Sequence, residues 1–231
     1  MKTVVYLLPG TMCNELLWQD LKHLISEEIT LKHIALPSAK TLDDITNALL
    51  NILPNNKVYL IGFSLGGYIA SNFAANYPHR VQKLFIISNT ACALNTNEIN
   101  QRKELLASLK RFGYSGISRK RAMNLLDDDH KDERLINTII EMDKQLGASV
   151  FLSQIEATTK RFDLSQKLIN TKLSMTFYYS ELDSFINTKW IAELSNNNED
   201  LKMIVQSGKG HMLPLEQPVL LKSYIETWLQ E

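Results

Sequence analysis

Ser64 stands in Gly62-Phe63-Ser64-Leu65-Gly66, between an apolar run (Val58, Tyr59, Leu60, Ile61) and a segment with helical hydrophobic spacing. A serine on so sharp a strand-to-helix turn has its hydroxyl pushed out above a sheet. Glycines two residues to either side let backbones pass where side chains would collide. The helix starting beneath it favours developing negative charge. That is the chemistry of a nucleophile in acyl transfer, which needs a base, and the base needs an orienting acid. Of the five histidines, His23 and His33 fall in an early helix–strand region, His79 in the turn after Pro78, and His130 in a charged stretch. All four read as surface residues. His211 follows the last strand-like run in Ser207-Gly208-Lys209-Gly210-His211, a loop able to swing an imidazole over the sheet edge. The acid is expected at a strand end between serine and histidine, which selects Asp183, with Glu181 as the substitute. Asp163 and Asp200 precede strands and fall at the wrong edge, while Asp43 and Asp44 open a helix, where they serve its dipole.

An oxyanion needs two aimed N–H groups. One is expected from Leu65, the residue after the nucleophile, and the other from the loop Leu8-Pro9-Gly10-Thr11-Met12-Cys13. Pro9 has no N–H and Gly10 supplies the bend, so Thr11 is the best donor, with Met12 behind it. Met12, Cys13 and Phe63 are candidates for the wall of a substrate pocket, and Cys13 reads as packing rather than chemistry.

Positioning these groups requires a sheet with helices on both faces. Strands are expected at Thr3–Leu8, Thr30–Leu36, Lys57–Gly62, Gln82–Ser88, Leu173–Tyr179 and Leu201–Gln206, most of them continuous apolar runs suited to strands covered on both sides. Helical patterns lie at Asn14–Glu27, Leu42–Leu53 and Leu65–Tyr77, and again after Phe185 and Pro214, where Leu221, Ile225 and Trp228 mark a buried stripe. The alternation predicts an α/β fold with a mostly parallel sheet of about six strands. From Thr96 to Lys160 only helix-length amphipathic segments occur, with Leu105, Leu109 and Phe112 on one face and Leu135, Ile139, Met142 and Leu146 on another. The expected organisation is a core of residues 1–95 and 161–231 with a helical cap of residues 96–160 inserted over the ligand-binding edge.

Composition narrows the function classes. The chain has 231 residues, 45% of them hydrophobic, with 25 basic against 25 acidic side chains. One α/β domain with an insertion fits that length, and the charge balance gives no support to nucleic-acid binding or a polybasic membrane patch. The opening MKTVVYLLPG reads as a first strand rather than a signal peptide. No apolar stretch approaches the ~18 residues of a membrane span. The two cysteines lack a metal or redox spacing. A cytoplasmic location is the expectation.

Taken together, the Gly10-Thr11 loop, the Gly62–Gly67 elbow, Tyr77-Pro78-His79-Arg80-Val81, Asp183 and Gly208-Lys209-Gly210-His211 resemble the α/β-hydrolase superfamily along essentially the whole chain. Three positions depart from its usual pattern: Pro9-Gly10 replaces His-Gly, Ser180 replaces a glycine at the acid's strand end, and Asn187 stands where proline often follows. The resemblance implies a serine esterase that needs no metal or organic cofactor, acting on a small-molecule ester. Gly10, Asn14 and Trp18 are spaced as in the esterases that demethylate pimeloyl-acyl-carrier-protein methyl ester in biotin synthesis. That likeness implies an acyl carrier protein as partner, with Arg119, Lys120 and Arg121 in the basic segment 102–121 as docking candidates, although a solvated helix face accounts for those charges more simply. Carbon–carbon bond hydrolases, lyases and ligand-binding proteins share the fold and remain alternatives.

Overall fold

The apolar runs become six strands: β1 (Thr3–Leu8), β2 (Ile29–His33), β3 (Val58–Phe63), β4 (Val81–Ile87), β5 (Met175–Ser180) and β6 (Leu201–Gln206). In the computed structural model, which describes residues 2–231, they form one sheet in the order β2-β1-β3-β4-β5-β6. Every pairing is parallel. Leu8 lies opposite Gly62, and Phe63 opposite Ile87, so β1, β3 and β4 end level with one another. From β1 the chain steps outward to β2 and then back across to β3. The two halves diverge there, and the crevice they leave is where ligands bind in open α/β sheets.

Successive residues of a strand face opposite sides, and the sheet builds one core on each. Leu60, Leu84 and Phe177 pack under α2 (Leu42–Ile52), α3 (Leu65–Asn76), α7 (Ser165–Thr171) and α8 (Thr188–Asn196). Their neighbours Ile61, Phe85 and Tyr178 pack under α1 (Gln19–Leu24), α9 (Leu213–Glu216) and α10 (Pro218–Gln230), where Leu221, Ile225 and Trp228 of α10 form the expected stripe. Interior strand β5 is buried at all six positions, whereas edge strand β6 is buried only at Leu201. β2 stops at His33, short of the expected Leu36. It is an edge strand whose partner β1 ends at Leu8, so beyond Ile34 N–H to Leu7 O (2.9 Å) there is no ladder to join.

Helix starts follow local chemistry. The Thr41 hydroxyl accepts from Asp44 N–H at 3.1 Å to open α2. Asn14 accepts from Leu16 N–H at 3.0 Å, but opens only a 3-10 turn (Glu15–Trp18) before the short α1, because Ile25 turns to extended backbone. The single helix expected over Asn14–Glu27 is thus two shorter pieces.

Between β4 and β5 the insertion is helical: α4 (Thr96–Phe112), α5 (Arg119–Met123) and α6 (Glu133–Thr159). A reciprocal capping box starts α4, with Asn95 accepting from Glu98 N–H and Glu98 from Asn95 N–H. Gly113 and Gly116, with φ of 79° and 90°, take the left-handed bends that end α4 and lead into α5. Gly147 (φ 74°) breaks α6, an interruption that the hydrophobic spacing conceals. Leu109 is buried as expected, but Phe112 is 74% exposed: the last turn of α4 runs past its packing surface, with the Arg111 guanidinium over the Phe112 ring. Among the described residues no helix is long and apolar enough to cross a membrane.

Candidate active site

The elbow after β3 has the geometry its spacing predicts. Ser64 adopts φ 48° and ψ −117°, a conformation costing about 1–3 kcal/mol that persists only where its surroundings impose it. They do so from two sides. Ser64 N–H donates to Ile87 O at 2.8 Å on β4, and the first turn of α3 returns Gly67 N–H to Ser64 O at 2.8 Å. A Cβ at Gly62 would lie 2.4 Å from Gly66 O, and one at Gly66 would lie 2.3 Å from Leu8 O. Both contacts are with backbone, so the turn admits no side chain at either position.

Asp183 and His211 arrive from beyond the carboxyl ends of β5 and β6, on the far side of β4 from the elbow. The imidazole Nε2 is 3.0 Å from Ser64 Oγ, and Nδ1 is 2.7 Å from Asp183 Oδ2. An ionised carboxylate only accepts, so the contact assigns the proton to Nδ1 and leaves the Nε2 lone pair facing the serine hydroxyl. Asp183 is almost wholly buried, and its other oxygen accepts from Phe185 N–H at 3.0 Å. The rings of Phe63 and Phe185 lie 5.4 Å and 4.8 Å from that of His211, shielding it from water. Glu181, the substitute acid, is exposed. His33 and His130 are half-buried, while His23 and His79 are exposed. Asp163 serves the fold instead, accepting from Trp190 Nε1 at 2.7 Å and Ser165 N–H at 2.8 Å.

The loop after β1 packs directly on the elbow, since a Cβ at Gly10 would touch the Phe63 ring at 2.8 Å and Ser64 Cβ at 3.2 Å. Among the described residues neither Thr11 N–H nor Leu65 N–H has a hydrogen-bond partner. Met12 N–H is committed to Gln154 Oε1 at 3.0 Å, so Met12 is not free to back up Thr11. Met12 itself takes φ 53°, turning the loop where glycine would be easier. Cys13 Sγ–H donates to Thr11 O, and burial pushes its thiol up to about 12. Met12, Cys13 and Phe63, expected in a pocket wall, are all buried beside the elbow.

Several contacts here have no clear signature in the sequence. Ser180 Oγ donates to Gly210 O at 2.5 Å and holds the His211 loop, which gives the departure from glycine a role. The insertion holds it too, through Leu125 O, which accepts from His211 N–H at 2.9 Å, and Asp127, which accepts from Lys209 N–H at 2.7 Å. Glu216 packs against Gly210. Its Oε2 accepts from Asp127 N–H at 2.7 Å while Oε1 is buried without a partner, and burial pushes its carboxyl up to about 7. Gln154 reaches the loop after β1 from α6. Asn187, another of the departures, caps α8 by accepting from Trp190 N–H at 3.2 Å.

Of the docking candidates, Arg119 is paired with Glu133, while Lys120 and Arg121 are exposed. Lys110, nearby in the basic segment, pairs with Glu156 at 3.1 Å. Among the described residues no group of three or more His, Cys, Asp or Glu is arranged to hold a metal ion.

A family model described as the alpha/beta hydrolase fold matches residues 35–226. A pimeloyl-acyl-carrier-protein methyl ester esterase of Yersinia enterocolitica is 22% identical over 240 residues, covering 97% of this chain and 92% of its own. Its counterpart from Salmonella agona is 24% identical over 201 residues, covering 80% of this chain and 77% of its own. Among solved structures, a thermophilic esterase from Thermogutta terrifontis has a TM-score of 0.86 at 18% identity, over 100% of this chain and 90% of that one.

Proposed function

Because the chain belongs to the α/β-hydrolase fold family, we propose that Ser64, His211 and Asp183 are its catalytic residues and that it hydrolyses carboxylic esters through an acyl-enzyme. The observation that carries the reading is the unbroken chain Ser64 Oγ, His211 Nε2, His211 Nδ1, Asp183 Oδ2, at 3.0 and 2.7 Å. His211 takes the Ser64 proton as Oγ attacks the ester carbonyl. The tetrahedral oxyanion forms against the unpartnered N–H groups of Leu65 and Thr11, each such donor being worth ~10²–10³ in rate. Asp183 holds the Nδ1–H tautomer and stabilises the imidazolium without taking its proton. His211 then protonates the departing alkoxide. A water that gives its proton to the same nitrogen releases the carboxylic acid and restores Ser64. No step draws on a metal or organic cofactor.

Labelling by a fluorophosphonate tests this reading. The wild type reacts and Ser64→Ala does not. A wild type that neither labels nor hydrolyses an activated ester refutes it in favour of a ligand-binding protein on the same fold.

A second reading, that the ester is carried by an acyl carrier protein, is supported by the names of the Yersinia and Salmonella relatives. On this reading Arg119, Lys120 and Arg121 help dock the acidic partner. Replacing all three should weaken turnover of a carrier-protein ester and spare small p-nitrophenyl esters. Equal effects on both substrates count against docking.

A further inference from the structure

A cavity of about 370 Å³ lies beside the proposed reaction centre, between the segment after β4 and the segment that carries Asp183. Thr90, Cys92, Ser184, Phe185 and Arg161 are among its lining residues. It shares two features with the site. Phe185 packs on the His211 ring and donates its N–H to Asp183. Arg161 lies over the ring of Tyr68, one turn along α3 from Ser64, with its Cζ 5.1 Å from the ring centroid.

Arg161 is a largely buried cation with no direct ion-pair partner among the described residues. Its Nε is buried without a hydrogen-bond partner, and among the described residues no carboxylate lies within ion-pair distance of its guanidinium. A second guanidinium, that of Arg102, stands close enough to repel it, and its one hydrogen bond is from Nη1 to the neutral hydroxyl of Thr158 at 3.0 Å. Burial and this mutual repulsion push the Arg102 guanidinium down to about 10, and burial lowers that of Arg161 as well. Glu98, also in the cavity lining, attracts both guanidinium groups but lies outside ion-pair range of them and is occupied by Asn95 N–H at 2.8 Å. Two desolvated like charges are costly unless something negative completes them. The remaining guanidinium N–H groups form a planar fork suited to an oxyanion.

We propose that this cavity is an anion subsite, in which Arg161, backed by Arg102, receives an oxyanionic group on the acyl part of the substrate. The substrate class is then an ester whose acyl chain ends in a carboxylate or a phosphate. The inference rests on the esterase reading for the identity of the reaction, but not for the anion site itself. Phe185, which lines this cavity and packs on the His211 ring, links it to the proposed reaction centre, and Lys189, also in the cavity lining, adds positive charge that draws the anion in.

Paired substrates test it. The p-nitrophenyl monoesters of adipic and suberic acid are compared with neutral p-nitrophenyl hexanoate and octanoate, alongside a p-nitrophenyl ester with a terminal phosphonate. The readout is the ratio of kcat/KM for charged over neutral ester, which cancels any loss of folded enzyme. A hydrogen-bonded charge pair predicts a wild-type preference of about 10- to 100-fold, lost in Arg161→Gln and reduced in Arg102→Gln. Arg161→Lys, which keeps the charge but not the fork, should retain a minor part of it. Preference for the carboxylate or for the phosphonate identifies the natural anion. A wild type without preference, or one whose preference survives both replacements, overturns the proposal. If no ester turns over, the esterase reading fails instead. Calorimetric titration of wild type and Arg161→Gln with adipate then decides the subsite: binding lost in the variant upholds it, and absence of binding in both removes it.

Discussion

Replacing Glu216 with glutamine should reverse a pH-dependent weakness built into the loop that carries His211. The side chain is 6% exposed, one oxygen is held by Asp127 N–H and the other is unpartnered. Burial is the largest influence and raises the carboxyl from 4.5 to about 7, with the nearby Asp127 charge adding to it; backbone N–H groups and His211 oppose it. Between these two values the folded protein holds a proton that the unfolded chain has released. Folding is therefore less favourable as pH rises through that window, and the deficit is complete above the folded value. A separation of 4.5 from about 7 corresponds to about 3 kcal/mol in full. Between about pH 5 and about pH 8 the part that develops is about 2.5 kcal/mol. Glutamine keeps the acceptor for Asp127 N–H and cannot ionise. Urea unfolding of both proteins at the two pH values isolates the term, since every other titrating group is common to them. The stability of wild type relative to Glu216→Gln should fall by that amount from the lower to the higher pH. A difference that does not change with pH, or one of the opposite sign, would refute the argument by showing that Glu216 is solvated or paired in the folded state.

Other perturbations address the remaining links. Asp183→Asn, which leaves an imidazole of the wrong tautomer, should lower kcat for an activated ester by ~10⁴ with little change in KM. Retention of a tenth of the activity would remove Asp183 from its role. Gly66→Ala drives a Cβ into Leu8 O and Pro9 O at 2.3 and 2.4 Å. It should cost about 1–3 kcal/mol in urea unfolding and lower kcat by ~10² as the Thr11 donor is displaced. Asp143 is buried and accepts from Tyr114 Oη and from Ile117 N–H at 2.9 Å, tying the loop between α4 and α5 to α6. Asp143→Ala should therefore destabilise the protein by about 3 kcal/mol, read by thermal or urea unfolding. Cys13, buried with its thiol pushed up to about 12, should resist a disulfide reagent in the native protein while half-buried Cys92 reacts. Equal rates in Cys13→Ser and Cys92→Ser proteins would contradict this.

Much of the arrangement is legible in the residues because it depends on neighbours along the chain. Most of the six strands are continuous apolar runs, and the elbow announces itself because backbone contacts of 2.4 Å or less leave room only for glycine at 62 and 66. Ser64, Asp183 and His211 follow from the rule that such sites sit at the carboxyl ends of strands. The break at Gly147 and the exposure of Phe112 escape periodicity, because one glycine or one helix end changes direction without altering the spacing of apolar residues. Gln154 on Met12, Leu125 on His211 and Glu216 beneath Gly210 escape it altogether. Each joins residues from segments that meet only once the insertion folds back on the sheet. The unpaired charges of Arg102 and Arg161 are of the same kind. In the sequence they are two cations among 25 basic residues balanced by 25 acidic ones. Only packing decides which of those charges lose their water and which keep a partner. The order of the chain alone pointed to the proposed nucleophile, its proposed base and the sheet that aligns them, because local sterics and strand direction do not depend on what packs above. The tertiary structure decided the environment of that centre, because burial and the distance between charges are properties of surfaces brought together in folding.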